Sequence, residues 1–164
     1  MKMLNIGIAG AGVAGLCAGA GLAKAGHQVQ IFDQFDTPSP VGSGLMIQLV
    51  GQSVLDIMGC LPQARSFGAQ IDDLHGTVSG HPFPVLNVAY DPDHMTGETG
   101  LAMHRSALFQ VLLDAATDAG VQLRPGHKVG GITASPQRQL EFDDTRKSEG
   151  FDLVIDAAGS GSPI

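Results

Sequence analysis

The sequence predicts an α/β fold that opens on a parallel pair of strands. Two observations carry this. A short apolar run, Leu4 to Ala9, leads into a segment of helical spacing and then into a second apolar run, His27 to Asp33. Strands joined through a helix pair in parallel by a right-handed crossover. The chain is also long and apolar enough for a real core, with 164 residues, 43% of them hydrophobic and 15% charged, the size of one ordinary domain.

Each element has its own signal. In the first helix Val13, Leu16, Cys17, Ala20 and Ala23 or Lys24 recur at helical spacing. Gly26 ends it, as glycine does just past a helix. Gln34 to Gly44 reads as a loop with two prolines, "LMIQL" as a brief extended piece, and "GQSVLDIMG" as a short helix stopped by Gly59. From Gln70 to Tyr90 strand-like pieces are broken by Gly76, Gly80 and Pro82, and Asp91 to Gly100 is a turn-rich loop. Arg105 to Ala119 is the clearest amphipathic helix, with Leu108, Val111, Leu112, Ala115 and Ala116 on one face and Gly120 as its stop. "VQLRPG" is a short strand, "KVGGITAS" and "RQLEFDD" a hairpin or meander, and Phe151 to Gly159 a buried strand running into a glycine turn. No internal repeat is evident.

Composition excludes several classes. The net charge of -7 and the absence of any Lys/Arg run exclude a nucleic-acid or anionic-membrane binder. No apolar run is long enough for a membrane span, and glycines interrupt the apolar start that follows Lys2, so it is not a signal peptide. Cys17 and Cys60 make no metal motif and read as buried, reduced thiols of a cytoplasmic protein. The six histidines have no ligand spacing, and no HExxH, GxSxG or GxxxxGK[ST] is present, so no metal and no catalytic constellation is expected. Asp72–Asp73 and Asp143–Asp144 read as solvated turn or strand-end charges, and His104 as a capping or surface residue.

The chemistry lies in the first turn. Gly10, Gly12 and Gly15 form GxGxxG between strand and helix, with Ala11, Val13 and Ala14 completing the loop. Gly10 allows the tight turn, Gly12 lets a pyrophosphate approach the backbone, and Gly15 lets the helix pack on the sheet. Gly19 extends the small face one turn on, where helix and strand cross. The helix N-terminus offers free N–H groups to phosphates. Asp33 ends the second strand, where a carboxylate accepts both ribose hydroxyls of an adenosine and repels a 2′-phosphate. A glycine-rich packing turn beside an incidental aspartate is the plainer alternative. The fingerprint alone does not choose NAD or FAD, but a nicotinamide domain would continue with alternating β-α units, whereas antiparallel pieces intervene here.

"IGIAGAGVAGL", "VQIFDQ", "PSPVGSGLMIQLVGQSVLDIMG", "MHRSALFQVLLDAA" and "DLVIDAAGSGSPI" together resemble the N-terminal part of the FAD-dependent aromatic-ring monooxygenases, the group of para-hydroxybenzoate and salicylate hydroxylases. The resemblance implies a Rossmann-like FAD-binding three-layer fold, a parallel sheet with a β-meander, and part of a second antiparallel substrate-side sheet that includes residues 70–90, where His75, His81 and Tyr90 fall. It implies that Asp33 and Gln34 meet the adenosine, that Gly42, Ser43 and Gly44 approach the flavin, that Arg105 pairs with the pyrophosphate or a ribityl oxygen, and that Val129 contacts adenine through its backbone. Gly159 and Ser162 match the family's second fingerprint, but its aspartate is replaced by Ala158, with Asp156 two residues earlier.

The family continues past the point matching Ile164, so the resemblance implies a truncated FAD-binding fragment over 1–164. Such a fragment would pair with a missing C-terminal chain or form a homo-oligomer. The whole protein would hydroxylate a small molecule with NAD(P)H and oxygen, and the fragment alone would be inactive. A non-catalytic FAD- or ADP-binding module, or a degenerate remnant, is the alternative. An NAD-dependent dehydrogenase domain is a third reading.

Overall fold

Strand β1 (Asn5–Ala9) alternates between two packed faces, and its last four residues are buried. The computed structural model describes residues 2–37, 43–93, 95–133 and 137–164. After β1 come α1 (Val13–Lys24), β2 (Gln28–Phe32), β3 (Gly44–Ile47), α2 (Leu49–Ile57), α3 (Leu61–Phe67), β4 (Ala69–Ile71), β5 (Asp73–Thr77) and β6 (Pro84–Ala89). The remainder is β7 (Gly100–His104), α4 (Arg105–Asp118), β8 (Gln122–Arg124), β9 (Val129–Thr133), β10 (Gln139–Phe142) and β11 (Leu153–Asp156). The chain divides into two compact units, Met1–Val41 with Leu108–Ile164, and Gly42–Ala107.

The first unit holds a parallel sheet in the order β11-β1-β2-β8. Its two faces separate by strand alternation. On one side Ile8 and Ile31 receive α1 at Gly19, where a Cβ would stand 2.7 Å from Ile31 Cδ1. On the other, a Cβ on Gly7 would stand 2.6 Å from the Phe151 ring, and Ala9 and Phe32 join Val129, Leu140, Phe142 and Phe151 in a buried cluster. The antiparallel β9–β10 pair therefore lies over the sheet face opposite α1, giving three layers. Each fully buried large side chain of this cluster contributes about 1.5–3 kcal/mol. The expected meander is a two-stranded hairpin extended by isolated bridges, Glu141 to Lys147 and Arg138 to Phe151. The strand expected to be buried, β11, is a half-exposed edge because only β1 pairs with it, and Leu153 stays exposed.

The second unit contains the antiparallel sheet β3-β7-β4 and the separate hairpin β5–β6. Two of its elements go beyond the sequence expectation. Strand β7 occupies Gly100 and the residues before the helix because it pairs with both β3 and β4. Helix α3 starts with Pro62 in its first turn, a position where the missing N–H costs nothing. Gly76 does not break a strand; it lies inside β5 beside a register shift. Gln52, the buried polar side chain, donates to the Thr99 carbonyl at 2.6 Å and accepts from Arg65 at 3.3 Å. Cys60 is buried, whereas Cys17 is only half-buried, and burial pushes its thiol pKa up.

A pH-dependent element sits in the hairpin of the first unit. Lys147 donates to Glu141 at 2.8 Å and Thr133 also donates to it, which holds the Glu141 carboxyl below its ordinary value of 4.5. The stabilisation is therefore present above that value and is lost as pH falls through the lowered one. Lys147→Ala is expected to raise the Glu141 pKa towards 4.5, checked by carboxyl carbon shifts in an NMR titration. An unmoved titration curve would show that the pair does not form.

Candidate cofactor site

The first unit builds its site from backbone before side chains. Gly10 has φ +98°, and its N–H donates to the Phe32 carbonyl at 2.7 Å. A Cβ there would lie 2.5 Å from the Ala157 carbonyl oxygen, so the turn out of β1 requires glycine. Gly12 caps α1 without a side-chain cap, and no acidic residue occupies the first turn. The first-turn N–H groups and the positive end of the helix are thus left for an anion. A Cβ on Gly12 would meet nothing within 4 Å, so protein packing does not demand glycine at this position. Bare backbone facing open space is what an approaching pyrophosphate needs, and the turn fits one.

A Cβ on Gly15 would fall 1.9 Å from the Gly10 carbonyl oxygen, so its close contact is with the turn itself. It would also stand 3.5 Å from Ala157 Cβ, just past β11, and one turn further on Gly19 packs against Ile31 of β2.

Asp33 follows β2 and is half-buried. Its Oδ2 accepts the Ala11 N–H at 2.7 Å and its Oδ1 accepts the Phe35 N–H at 3.0 Å. The residue is tied from behind as well: its N–H donates to Arg124 O at 3.1 Å, and its carbonyl accepts the His127 N–H at 2.7 Å. A carboxylate offers about four acceptor positions. Two serve the protein, and the others suit a vicinal diol. Beside Asp33 lies a pocket of about 220 Å³ whose lining includes Gly10, Gln34, His127, Lys128, Val129 and Ala158. The structure thus brings Gly10, Asp33, Gln34 and Val129 around one space. His127 and Lys128 were not singled out from sequence; their only signal was standing immediately before Val129.

The second fingerprint closes this pocket. Ala157 N–H donates to Ala9 O at 2.8 Å, Gly159 has φ +88°, and Ser162 N–H donates to Gly159 O at 3.1 Å. Asp156 accepts the Ala158 N–H at 3.0 Å, so its carboxylate serves its own turn.

In the second unit Arg105 opens α4, is exposed, and donates its N–H to Ser43 O at 3.2 Å. Gly44 pairs with His104, so Ser43, Gly44 and Arg105 share one end of β3 and β7. Gly42 lies outside the described residues. The same unit carries an apolar trough of about 780 Å³ along Leu45, Met46, Phe67, Ile71 and Met103. Among the described residues no cluster of His, Cys, Asp or Glu could hold a metal, and no helix is long and apolar enough to cross a membrane.

Comparison with known proteins bears on this geometry. Residues 3–156 match a family model described as an FAD binding domain. The chain is 29% identical over 168 residues to hispidin-3-hydroxylase of Neonothopanus nambi, covering 98% of this chain and 39% of that protein. It is 34% identical over 137 residues to 3-hydroxybenzoate 6-hydroxylase 1 of Aquipseudomonas alcaligenes, covering 82% and 35%. The solved tetrameric form of 2-methyl-3-hydroxypyridine-5-carboxylic acid oxygenase matches with a TM-score of 0.84 at 24% identity, covering 100% of this chain and 42% of that one. The chain spans about two fifths of the length of curated relatives that it matches, 39% in the case of hispidin-3-hydroxylase.

Proposed function

The chain belongs to the FAD binding domain family, and from that membership we propose that it is the FAD-binding part of a monooxygenase that hydroxylates a small aromatic molecule with NAD(P)H and oxygen. Its cofactor is FAD, which sets aside the nicotinamide-dehydrogenase reading. The observation that carries the assignment of the site is Asp33, fixed by two turn N–H groups with acceptor capacity left beside the pocket. In this reading Gly10, Ala11, Gly12, Val13, Ala14 and Gly15 receive the pyrophosphate, Asp33 the ribose diol, and Gln34 and Val129 the adenine end. Gly42, Ser43, Gly44 and Arg105 belong to the flavin side. When bound, FAD supplies the redox chemistry, and the chain supplies binding and orientation.

Two hydroxylases among the relatives support the reaction class. Residues 70–90 fit the substrate-side sheet: Phe83, Val85, Leu86 and Val88 are exposed around β6, which suits a hairpin completed by further strands. Ala158, in place of the family's aspartate, favours a second reading, an FAD- or ADP-binding module without turnover.

Adding FAD to the purified chain and recording the visible spectrum tests the site. A yellow complex is expected, and a chain that binds neither FAD nor ADP would overturn the assignment. Oxygen uptake driven by NAD(P)H and matched by a hydroxylated phenol, in a protein carrying this domain at full length, supports the monooxygenase. FAD binding without such turnover supports the module.

A further inference from the structure

His127 lines the pocket beside Asp33, and its partners define its chemical form. Its Nδ1 lies 2.6 Å from the Pro125 carbonyl, which can only accept, so Nδ1 carries the hydrogen. Its Nε2 lies 3.3 Å from Arg146 Nη1, which can only donate, so Nε2 is the acceptor. One form satisfies both contacts, the neutral Nδ1–H imidazole. Edge contacts with Phe32 and Phe142, at centroid distances of 5.8 and 4.9 Å, set the plane of the ring.

Arg146 has partners of its own. Asp144 accepts its Nε at 2.6 Å and its backbone N–H at 3.1 Å, and the guanidinium lies 6.0 Å from the Phe142 ring centroid. The turn that carries it places Thr145 at φ +72°, the positive-φ residue that is not glycine among the described residues. A β-branched residue in that conformation is strained, and such strain persists where surrounding contacts enforce it. The enforcing bonds are Thr145 N–H to Phe142 O at 3.0 Å and Phe142 N–H to Arg146 O at 2.9 Å. The same turn pairs Asp143 with Lys128, a lysine in the pocket lining, at 2.6 Å.

We propose that Arg146 is a positioning residue for the adenosine end of the site, fixing His127 as a neutral Nδ1–H wall next to Asp33. This rests on the FAD reading of the pocket. With Nε2 occupied and Nδ1 turned to Pro125, the imidazole offers the ligand a flat, uncharged edge, while Asp33 keeps its capacity for the ribose. A second proton or the other tautomer would place an N–H against the Arg146 guanidinium.

Two measurements on the whole chain test this. Nitrogen-15 NMR of histidine at pH 8 reads the tautomer directly and needs no ligand: the native chain is expected to show Nδ1–H at His127. Titration with ADP as the probe reads the site: Arg146→Ala is expected to bind it about fivefold more weakly, Arg146→Lys to recover part of that loss, and Asp144→Asn to give a smaller loss. An Nε2–H tautomer in the native chain, or ADP affinity unchanged in both Arg146→Ala and Asp144→Asn, overturns the positioning role. Failure of the native chain to bind ADP instead overturns the reading of the pocket, and the proposal with it.

Discussion

Replacing Gly15 with alanine is expected to abolish FAD binding and to destabilise the fold by about 3 kcal/mol, the upper end of the overpacking range. The added Cβ would sit 1.9 Å from the Gly10 carbonyl oxygen, a backbone atom that no rotamer change can move aside. Relief requires the start of α1 or the turn to shift, and Gly10 is itself pinned by its hydrogen bond to Phe32. Any such shift re-aims the N–H groups that the phosphates would meet. Gly12→Ala is the matched control. Its Cβ meets nothing, so stability should change by less than about 1 kcal/mol, the scale of an N-cap substitution. The methyl would nonetheless occupy the approach of the pyrophosphate, and FAD affinity is expected to fall at least about tenfold, or about 1.4 kcal/mol. Denaturant melts and flavin titrations of both variants check the pair. Full FAD affinity in Gly12→Ala would show that the ligand does not come over this turn.

Asp33→Ala carries the second large effect. Loss of hydrogen bonds to a charged acceptor is expected to weaken ADP and FAD alike by about 1–3 kcal/mol. The equal effect on both ligands matters, because they share the adenosine diphosphate portion. The variant also leaves the Ala11 and Phe35 N–H groups without their acceptor, so a modest loss of stability should accompany it. Asp33→Asn retains one acceptor oxygen and should fall between the two. Calorimetric titration with ADP decides: affinity unchanged in Asp33→Ala would place the adenosine elsewhere.

The features readable in the sequence were those with local physical causes. The β1-α1-β2 start shows because apolar spacing changes period within a few residues, and the Gly10–Gly12–Gly15 spacing shows because each constraint lies in one turn of backbone. Strand β7 was hidden because its conformation depends on partners distant in sequence, Gly44–Ile47 and Ala69–Ile71. The short α3 offered too few turns for a periodic pattern. Gly15 is similar: the sequence shows that something approaches closely, and the fold identifies it as the Gly10 carbonyl. The pocket residues divide similarly. Asp33 announces itself at the end of a strand, whereas His127 and Lys128 come beside it only through the fold.

The β5–β6 hairpin has a consequence for how the chain comes apart. A two-stranded ribbon with exposed Val85 and Leu86 has little buried area to oppose its opening. Strand β1, hydrogen-bonded to β11 on one edge and β2 on the other, lies at the opposite extreme. Local opening therefore costs less in the hairpin than beneath the glycine turn. Proteolytic nicking at residues 73–89 would precede nicking at the cofactor turn, which would keep its shape longer.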